Sequence, residues 1–384
     1  MSAQRTLALV GTGAYALRDV YGPGVVLRSL AQWSADHGGA EAWRIAIVHR
    51  SAAGRSRAEA EAKAIRSEIP DAAAIVLLDT ESEAAEASIE SAHALFVCVP
   101  DSAHDGWVQR GIDAGVPTWV VKPLTGDGTR SATLAARAEA KGTPVWVDYH
   151  KRFDVSNRLL RSALDGGERG APLLFNIRYS QPRDLPLESF AWTGETDVFR
   201  YIGCHYVDQL FYWMPGLEIE AVETRGIAGP VFERIGHAAF DTVLARLDGR
   251  WRGRPLSAQL EVGWNNPLAS PTKSLQVVEV ACERGRYFLD QTRRGVEIWS
   301  DDGLSTPNPY FFARLHDPAA GRSRYQGYGW ESVREFLDFT LCTGSERAIA
   351  LANESLPWAR AAARVDTVLD RVTQALLRQA RPRG

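Results

Sequence analysis

The sequence predicts a two-domain α/β protein: an N-terminal doubly wound parallel sheet, then a C-terminal α/β domain with a large, mostly antiparallel open sheet. Three observations carry this. The chain has 384 residues, more than one ordinary hydrophobic core organises. Before residue 150, short apolar runs alternate with alanine-rich stretches of helical character. After Phe153 the runs alternate polar and apolar residues and are separated by turn signals.

The apolar runs of the first part are Leu7–Val10, Arg44–Val48, Ala74–Leu78, Ala94–Val99, Thr118–Val121 and Pro144–Val147. They are rich in Val and Ile and do not alternate, as parallel strands covered on both faces do not. Arg57–Ser67, Glu81–Ser91, Gly106–Ala114 and Arg130–Ala140 read as the crossover helices between them. In the second part a helical stretch, Phe199–Trp213, precedes the runs Ile219–Thr224, Phe240–Leu247, Leu256–Trp264, Leu275–Ala281, Arg286–Leu289 and Gly295–Trp299. Turns such as Asp248-Gly249 and Asp302-Gly303 suit hairpins. Two helical patterns, Glu331–Leu341 and Ser355–Gln379, close the chain. The domains are expected at 1–150 and 151–384, with the C-terminal helices packing back on the first.

Composition narrows the function. Hydrophobic residues make up 45% and charged residues 24%, a globular profile, and a net charge of −3 offers no field for nucleic acid or an anionic membrane. Cys98, Cys204, Cys282 and Cys342 are far apart, which argues against a metal knuckle or a disulfide framework; free thiols are expected, and no metal. No apolar run approaches the roughly 20 residues that span a bilayer, and no secretory h-region opens the chain, so a cytoplasmic protein is expected. Only Lys63, Lys122, Lys141, Lys151 and Lys273 are lysines among 44 basic residues, so a lysine in an apolar setting stands out.

Directly after the first strand comes Gly11-Thr12-Gly13-Ala14-Tyr15-Ala16, a G-x-G-x-x-A turn. Gly11 permits the tight turn, Gly13 lets backbone approach a pyrophosphate, and Ala16 lets a helix pack closely on the sheet, with its N-terminus toward the phosphates. This is the fingerprint of a Rossmann dinucleotide site. The second strand ends at His49-Arg50-Ser51, with none of the carboxylates that usually receive an adenosine ribose. Arg50 and Ser51 suit a 2′-phosphate instead, which favours NADP and leaves NAD open. The stretch after Ala16 is longer than usual and contains Gly22-Pro23-Gly24.

Four further segments lie where strands or a helix would present them: Val99-Pro100-Asp101-Ser102-Ala103-His104, Val121-Lys122-Pro123, Asp148-Tyr149-His150-Lys151-Arg152-Phe153, and Gly203-Cys204-His205-Tyr206-Val207-Asp208. With these, the chain resembles the glucose–fructose oxidoreductase/inositol dehydrogenase (Gfo/Idh/MocA) family. That family combines the glycine turn with P-x-x-x-H, E-K-P, Y-x-x-R-F and G-x-H-x-x-D motifs, here in the same order across nearly the whole chain.

The resemblance implies an NAD(P)-dependent dehydrogenase acting on a secondary alcohol of a sugar, cyclitol or related polyol. It places Lys122 beside the nicotinamide and the reacting hydroxyl, and His205 in proton transfer. The chemistry agrees: a cation stabilises a developing alkoxide, and imidazole exchanges a proton near neutral pH, while burial would pull the lysine toward the useful range. Gly11, Thr12, Gly13, Ala14, Tyr15, Arg50, Ser51, Val99, Pro100, His104 and Lys122 are the expected cofactor residues. His150, Lys151 and Asp208 are the expected substrate residues. His104 is equally readable as a helix cap, and Trp264, Tyr328 and Trp330 either stack on a sugar ring or pack in the core.

The chain departs from the family at two places. Val121 stands where the family carries glutamate, and Tyr201 stands four residues before His205, where dehydrogenase members often carry aspartate. On an α-helix positions i and i+4 share a face, so Tyr201 either serves His205 as an acid–base partner or shapes the pocket. These departures keep an imine or enone reductase, or a non-catalytic NAD(P)-binding sensor, as alternatives. A half-buried sheet with an apolar outer face would pair with another copy, so a homodimer or homotetramer is expected.

Overall fold

Six short strands, β1 (Arg5–Val10), β2 (Trp43–His49), β3 (Ala74–Asp79), β4 (Ala94–Val97), β5 (Thr118–Val120) and β6 (Val145–Val147), lie side by side in the order β3-β2-β1-β4-β5-β6. Every pairing is parallel. The computed structural model describes residues 4–19, 22–189, 192–342 and 355–380. The helices α1 (Val25–Asp36), α2 (Ala52–Glu68), α3 (Glu83–Glu90), α4 (His104–Ala114) and α5 (Gly128–Lys141) alternate with the strands. Leu7, Leu9, Ile45, Ile47, Leu95, Phe96, Trp119 and Trp146 have no exposed surface, which is why their strands read as unbroken apolar runs. Ser51, Ser82 and Asp127 cap α2, α3 and α5 with their side chains. Because the strand order reverses beside β1, the carboxyl ends of β1 and β4 flank the crevice in which sheets of this topology bind ligands.

The chain forms two compact units, Met1–Phe153 with Phe311–Ala363, and Asp154–Tyr310 with Arg364–Gly384. The sequence placed 151–384 in the second domain with its C-terminal helices packing back on the first; Phe311–Ala363 is built into the first unit itself. The helix Tyr328–Leu341 buries Val333, Phe336 and Leu337 in one cluster with Trp33, Phe96 and Trp146, and Trp358 meets Trp146 edge-on at 5.0 Å. Large aromatic area removed from water secures this return.

In the second unit, α6 (Val155–Gly166) and α7 (Cys204–Trp213) accompany strands β7 (Pro172–Pro182), β8 (Glu218–Ile227), β9 (Thr242–Trp251), β10 (Arg254–Asn266), β11 (Leu275–Cys282) and β12 (Gly285–Asp290). Their order is β8-β9-β10-β7-β11-β12, with β10 and β7 parallel and the other neighbours antiparallel. Burial alternates along β9 and β10: Val243, Ala245, Leu247, Ala258, Leu260 and Val262 face the core. The run expected at Gly295–Trp299 is instead the edge of a separate two-stranded ribbon, Ile298–Ser300 with Gly303–Ser305.

The opposite face of this sheet corrects the expectation of an apolar outer surface. It holds a concavity of about 480 Å³ lined by Arg178, Glu223, Arg225, Arg246, Glu261 and Glu279 together with Leu244 and Val277. Arg246 pairs with Glu223 on the neighbouring strand at 2.7 Å and with Asp248 on its own strand at 3.0 Å. Among the described residues no helix is long and apolar enough to cross a membrane.

Candidate active site

The glycine turn is built as its spacing requires. Gly11 has φ +104°, and a Cβ there would stand 2.1 Å from the Cys98 carbonyl oxygen at the end of β4. Only glycine tolerates both conditions. Gly13 is exposed, and a Cβ there would meet nothing within 4 Å. The backbone on this side is open to a phosphate, so the turn fits a dinucleotide.

The long helix does not open at the turn, which corrects the expectation that its N-terminus faces the phosphates there. Residues 13–17 form a single helical turn, with the Leu17 amide bonding the Gly13 carbonyl at 3.0 Å. The chain then leaves and returns at Gly24. The amides of Val25 and Leu27 take the carbonyls of Tyr15 and Ala16, and the Gly24 amide takes that of Leu17. A helix has thus been opened by an excursion and resumed with its orphan carbonyls satisfied. Gly24 is obligatory because a Cβ there would lie 2.6 Å from Leu17 backbone atoms. Arg28, fully buried, donates to the Leu17 carbonyl at 3.0 Å and pairs with Glu61 and Glu68 of α2, which locks the splice.

At the second strand, His49 is buried, its Nδ1 lying 4.0 Å from the Asp79 carboxylate on the neighbouring strand end. Arg50 is exposed, while Ser51 Oγ accepts the Gly54 amide at 3.1 Å as the cap of α2. Val99 is half-buried and Pro100 exposed where β4 ends.

His104 is not placed to touch a cofactor. It has no exposed surface; its Nδ1 lies 2.8 Å from the Pro123 carbonyl oxygen and its Nε2 2.9 Å from that of Val99. With both ring nitrogens against main-chain oxygens, it ties the β4 exit to the loop that carries Lys122. It does not cap α4 either, whose N-terminal cap is Ala103 without a side-chain bond. Lys122 itself is half-buried and precedes a cis peptide to Pro123. The Val121 amide bonds Val97 on one side of the sheet, and the Asp148 amide bonds Val120 on the other.

Sequence reasoning missed Asp148. This carboxylate is 1% exposed and accepts from Tyr15 Oη at 2.6 Å, from His150 Nδ1 at 3.1 Å and from Ser332 Oγ at 2.7 Å. Burial and the neighbouring Asp148 hold the Tyr15 phenol well above its ordinary range, so it stays a donor. The same two causes push up the Cys98 thiol, leaving it protonated. An acid ending the last parallel strand was the available signal, but its partners are remote in sequence. Lys151 and Arg152 are buried.

In the second unit, Tyr201 lies in a π-helical turn, Phe199–Gly203, and His205 in the first turn of α7. The turn is wider than the α-helical one assumed for the i, i+4 spacing. The Tyr201 ring packs against Trp192 at 5.2 Å and Trp264 at 6.0 Å, whereas Tyr179 is 6.3 Å from the His205 ring. Trp264, Tyr328 and Trp330 are buried and belong to the packing. Asp208 has no exposed surface and accepts from Gln209 at 3.3 Å, so a ligand reaches it only if this packing opens. One surface group, His37, Asp338 and Cys342, brings three potential metal-binding atoms within 4.8 Å, but Asp338 is engaged by Trp33 and Arg334.

The turn and strand order define a two-domain protein with a Rossmann dinucleotide fold. No family model matches the chain. A myo-inositol dehydrogenase of Streptomyces leeuwenhoekii is 31% identical over 180 residues, which span 44% of this chain and 54% of that protein, so the match covers about half of the relative. The myo-inositol 2-dehydrogenase of Lactobacillus plantarum superposes with TM-score 0.68 at 15% identity, covering 97% of both chains. The scyllo-inositol dehydrogenase of Lactobacillus casei, solved with NAD(H) and scyllo-inositol, gives 0.65 at 15% identity over 97% of both. Relatives and fold neighbours together bear out the resemblance to the glucose–fructose oxidoreductase/inositol dehydrogenase family.

Proposed function

We propose that this chain is an NAD(P)-dependent oxidoreductase acting on a secondary alcohol of a cyclitol or similar polyol. The observation that carries the reading is the open glycine turn at the point where the strand order reverses, in a chain whose relatives are named inositol dehydrogenases. Gly11, Thr12, Gly13, Ala14 and Tyr15 hold the pyrophosphate end of the dinucleotide, with Val99 and Pro100 beside them. The nicotinamide, when bound, supplies hydride acceptance or donation. Lys122 stabilises the negative charge that develops on the substrate oxygen, and His205 serves in proton transfer. His150 and Lys151 contact the substrate, and Tyr201 shapes the pocket within its tryptophan cluster.

NADP is the preferred cofactor in this reading, because Arg50 is exposed and makes no ion pair among the described residues. Asp79 opposes it, since a carboxylate near a 2′-phosphate repels it. A homodimer or homotetramer is retained as the working assembly, joined by charge pairing and not by an apolar face.

The test is a dye-coupled screen of inositols and aldoses with both cofactors, on wild type and Lys122→Met. The expected result is turnover of a cyclitol by wild type. The variant should lose about 10²-fold or more in kcat while keeping cofactor affinity. A wild type that binds NADPH and NADH yet oxidises or reduces no polyol overturns the reading in favour of a binding protein.

A further inference from the structure

We propose that Asp148 and His150 form a proton-transfer dyad on the dinucleotide-binding unit, with Nε2 of His150 as the atom that exchanges the substrate's hydroxyl proton; this rests on the dehydrogenase reading above. The carboxylate is buried, and a buried charge must be hydrogen-bonded and paired. Asp148 has three side-chain donors: Tyr15 and His150 share its Oδ2, and Ser332 takes its Oδ1. Among the described residues His150 is the basic side chain at ion-pair distance from it, at 3.1 Å, with no lysine or arginine there. Tyr15 and Ser332 can only donate to an ionised carboxylate, so the arrangement is that of a negative acceptor surrounded by donors.

That arrangement selects one tautomer. A carboxylate against Nδ1 places a proton there and leaves the lone pair on Nε2, and it stabilises the imidazolium once Nε2 takes a proton. The ring is held in place by Tyr328, stacked at 5.6 Å and 20°, by Tyr15 at 6.1 Å and 25°, and by Phe311 at 5.2 Å. His150 keeps 12% of its side chain exposed. The dyad also stands where the chemistry is assigned. Tyr15 belongs to the glycine turn, and the Asp148 amide bonds the carbonyl of Val120, two residues before Lys122.

In the oxidation direction the substrate O–H bond breaks and its proton passes to His150 Nε2. The carbon's hydrogen leaves with the C–H electron pair to the oxidised nicotinamide dinucleotide, the oxidant, and a C=O bond forms. The reduction runs the same transfers backward, with the proton returned from Nε2.

Two measurements test this. In protein labelled with ¹⁵N-histidine, a hydrogen-bonded Nδ1–H resonance should be present and should vanish in both Asp148→Asn and His150→Gln, while His205→Gln retains it. In kinetics on the cyclitol that wild type turns over, His150→Ala should lower kcat by about 10²-fold with KM and NADH affinity within a few-fold. Added imidazole should restore kcat saturably, which repairs a missing proton carrier and not a missing contact. Absence of the resonance, undiminished kcat in His150→Ala, a change confined to KM, or a loss that imidazole does not repair each overturns the dyad. Failure of the dehydrogenase reading shows separately, as wild type without turnover.

Discussion

The Nδ1 of His104 lies 2.8 Å from the carbonyl oxygen of Pro123, so the residue after Lys122 is fastened from beneath by a histidine nineteen positions earlier. The other ring nitrogen reaches Val99 at the β4 exit, and one buried side chain thereby sets the spacing of two loops at the crevice. His104→Leu fills the space but leaves both carbonyls without this partner. We expect a loss of about 1–3 kcal/mol in unfolding free energy, the usual cost of stranding a buried polar group, read from denaturant titration. kcat should fall with it while NADH affinity stays within a few-fold, because the glycine turn is untouched. An unchanged denaturation midpoint would show that the tie is dispensable.

Gly11 and Gly13 are predicted to separate folding from binding. Gly11→Ala meets the Cys98 carbonyl at 2.1 Å in a positive-φ conformation, so both the melting temperature and dinucleotide affinity should drop. Gly13→Ala meets no protein atom, so it should melt with the wild type. Its added methyl stands in the space assigned to the pyrophosphate, and NADH affinity should fall by about tenfold or more. Fluorescence titration and thermal melts on both variants distinguish the two effects; normal binding by Gly13→Ala would move the phosphates elsewhere.

The parallel strands were legible because a strand covered on both faces must be apolar at consecutive positions, as Leu7–Val10 and Ala94–Val97 are. The excursion after Leu17 was not, since period-3.6 patterning describes a continuous helix and cannot mark one resumed at Val25. The sequence showed C-terminal helices packing on the first unit but not that Phe311–Ala363 belongs to it outright, because its aromatic residues suit any core and their partners Trp33 and Trp146 are hundreds of positions or an intervening domain away. For the proposed site, motif order pointed to Lys122, His150 and His205, but the partnership of His150 with Asp148 and Tyr15 depends on strand register. The double engagement of His104 likewise has no local sequence signature.

Acid should loosen the splice of α1. Burial opposes ionisation of Glu68, but the hydrogen bonds from Arg28 and Tyr325 outweigh it and hold the carboxyl below its ordinary value. Tyr325, pushed up to about 12 by burial and by its bond to Glu68, remains protonated. A carboxyl with a lowered pKa in the folded state adds stability that is present above the unfolded value, about 4.3, and is lost as pH falls through the folded one. Thermal melts on descending from about pH 6 to about pH 3 should therefore show a smaller decline for Glu68→Gln than for wild type, whose stability is the greater at the upper end. Parallel curves would remove Glu68 from the acid response.

Cofactor preference should depend on two opposed side chains. Arg50→Ala is expected to weaken NADP by about 1.5–3 kcal/mol, the range for a hydrogen bond to a charged group, and to leave NAD unchanged. Asp79→Asn should strengthen NADP by removing a carboxylate held 4.0 Å from His49 at the adjoining strand end. Isothermal titration of both cofactors against both variants reads these shifts. If Arg50→Ala binds NADP as tightly as wild type, Arg50 belongs to solvent and Asp79 becomes the side chain to examine for ribose recognition.

Tyr201→Phe tests what the π-turn has done to the proton relay. The substitution keeps the ring between Trp192 and Trp264 and deletes the hydroxyl alone. A tyrosine that shapes the pocket acts through its ring, so kcat should stay within about twofold of wild type and the pH–rate profile should keep its form. A tyrosine that exchanges protons with His205 acts through its oxygen, so its loss would lower kcat by about 10²-fold and shift one limb of that profile. The observed ring neighbours of Tyr201 are tryptophans. The first outcome is therefore expected, with His205→Ala measured beside it as the variant that should lose turnover.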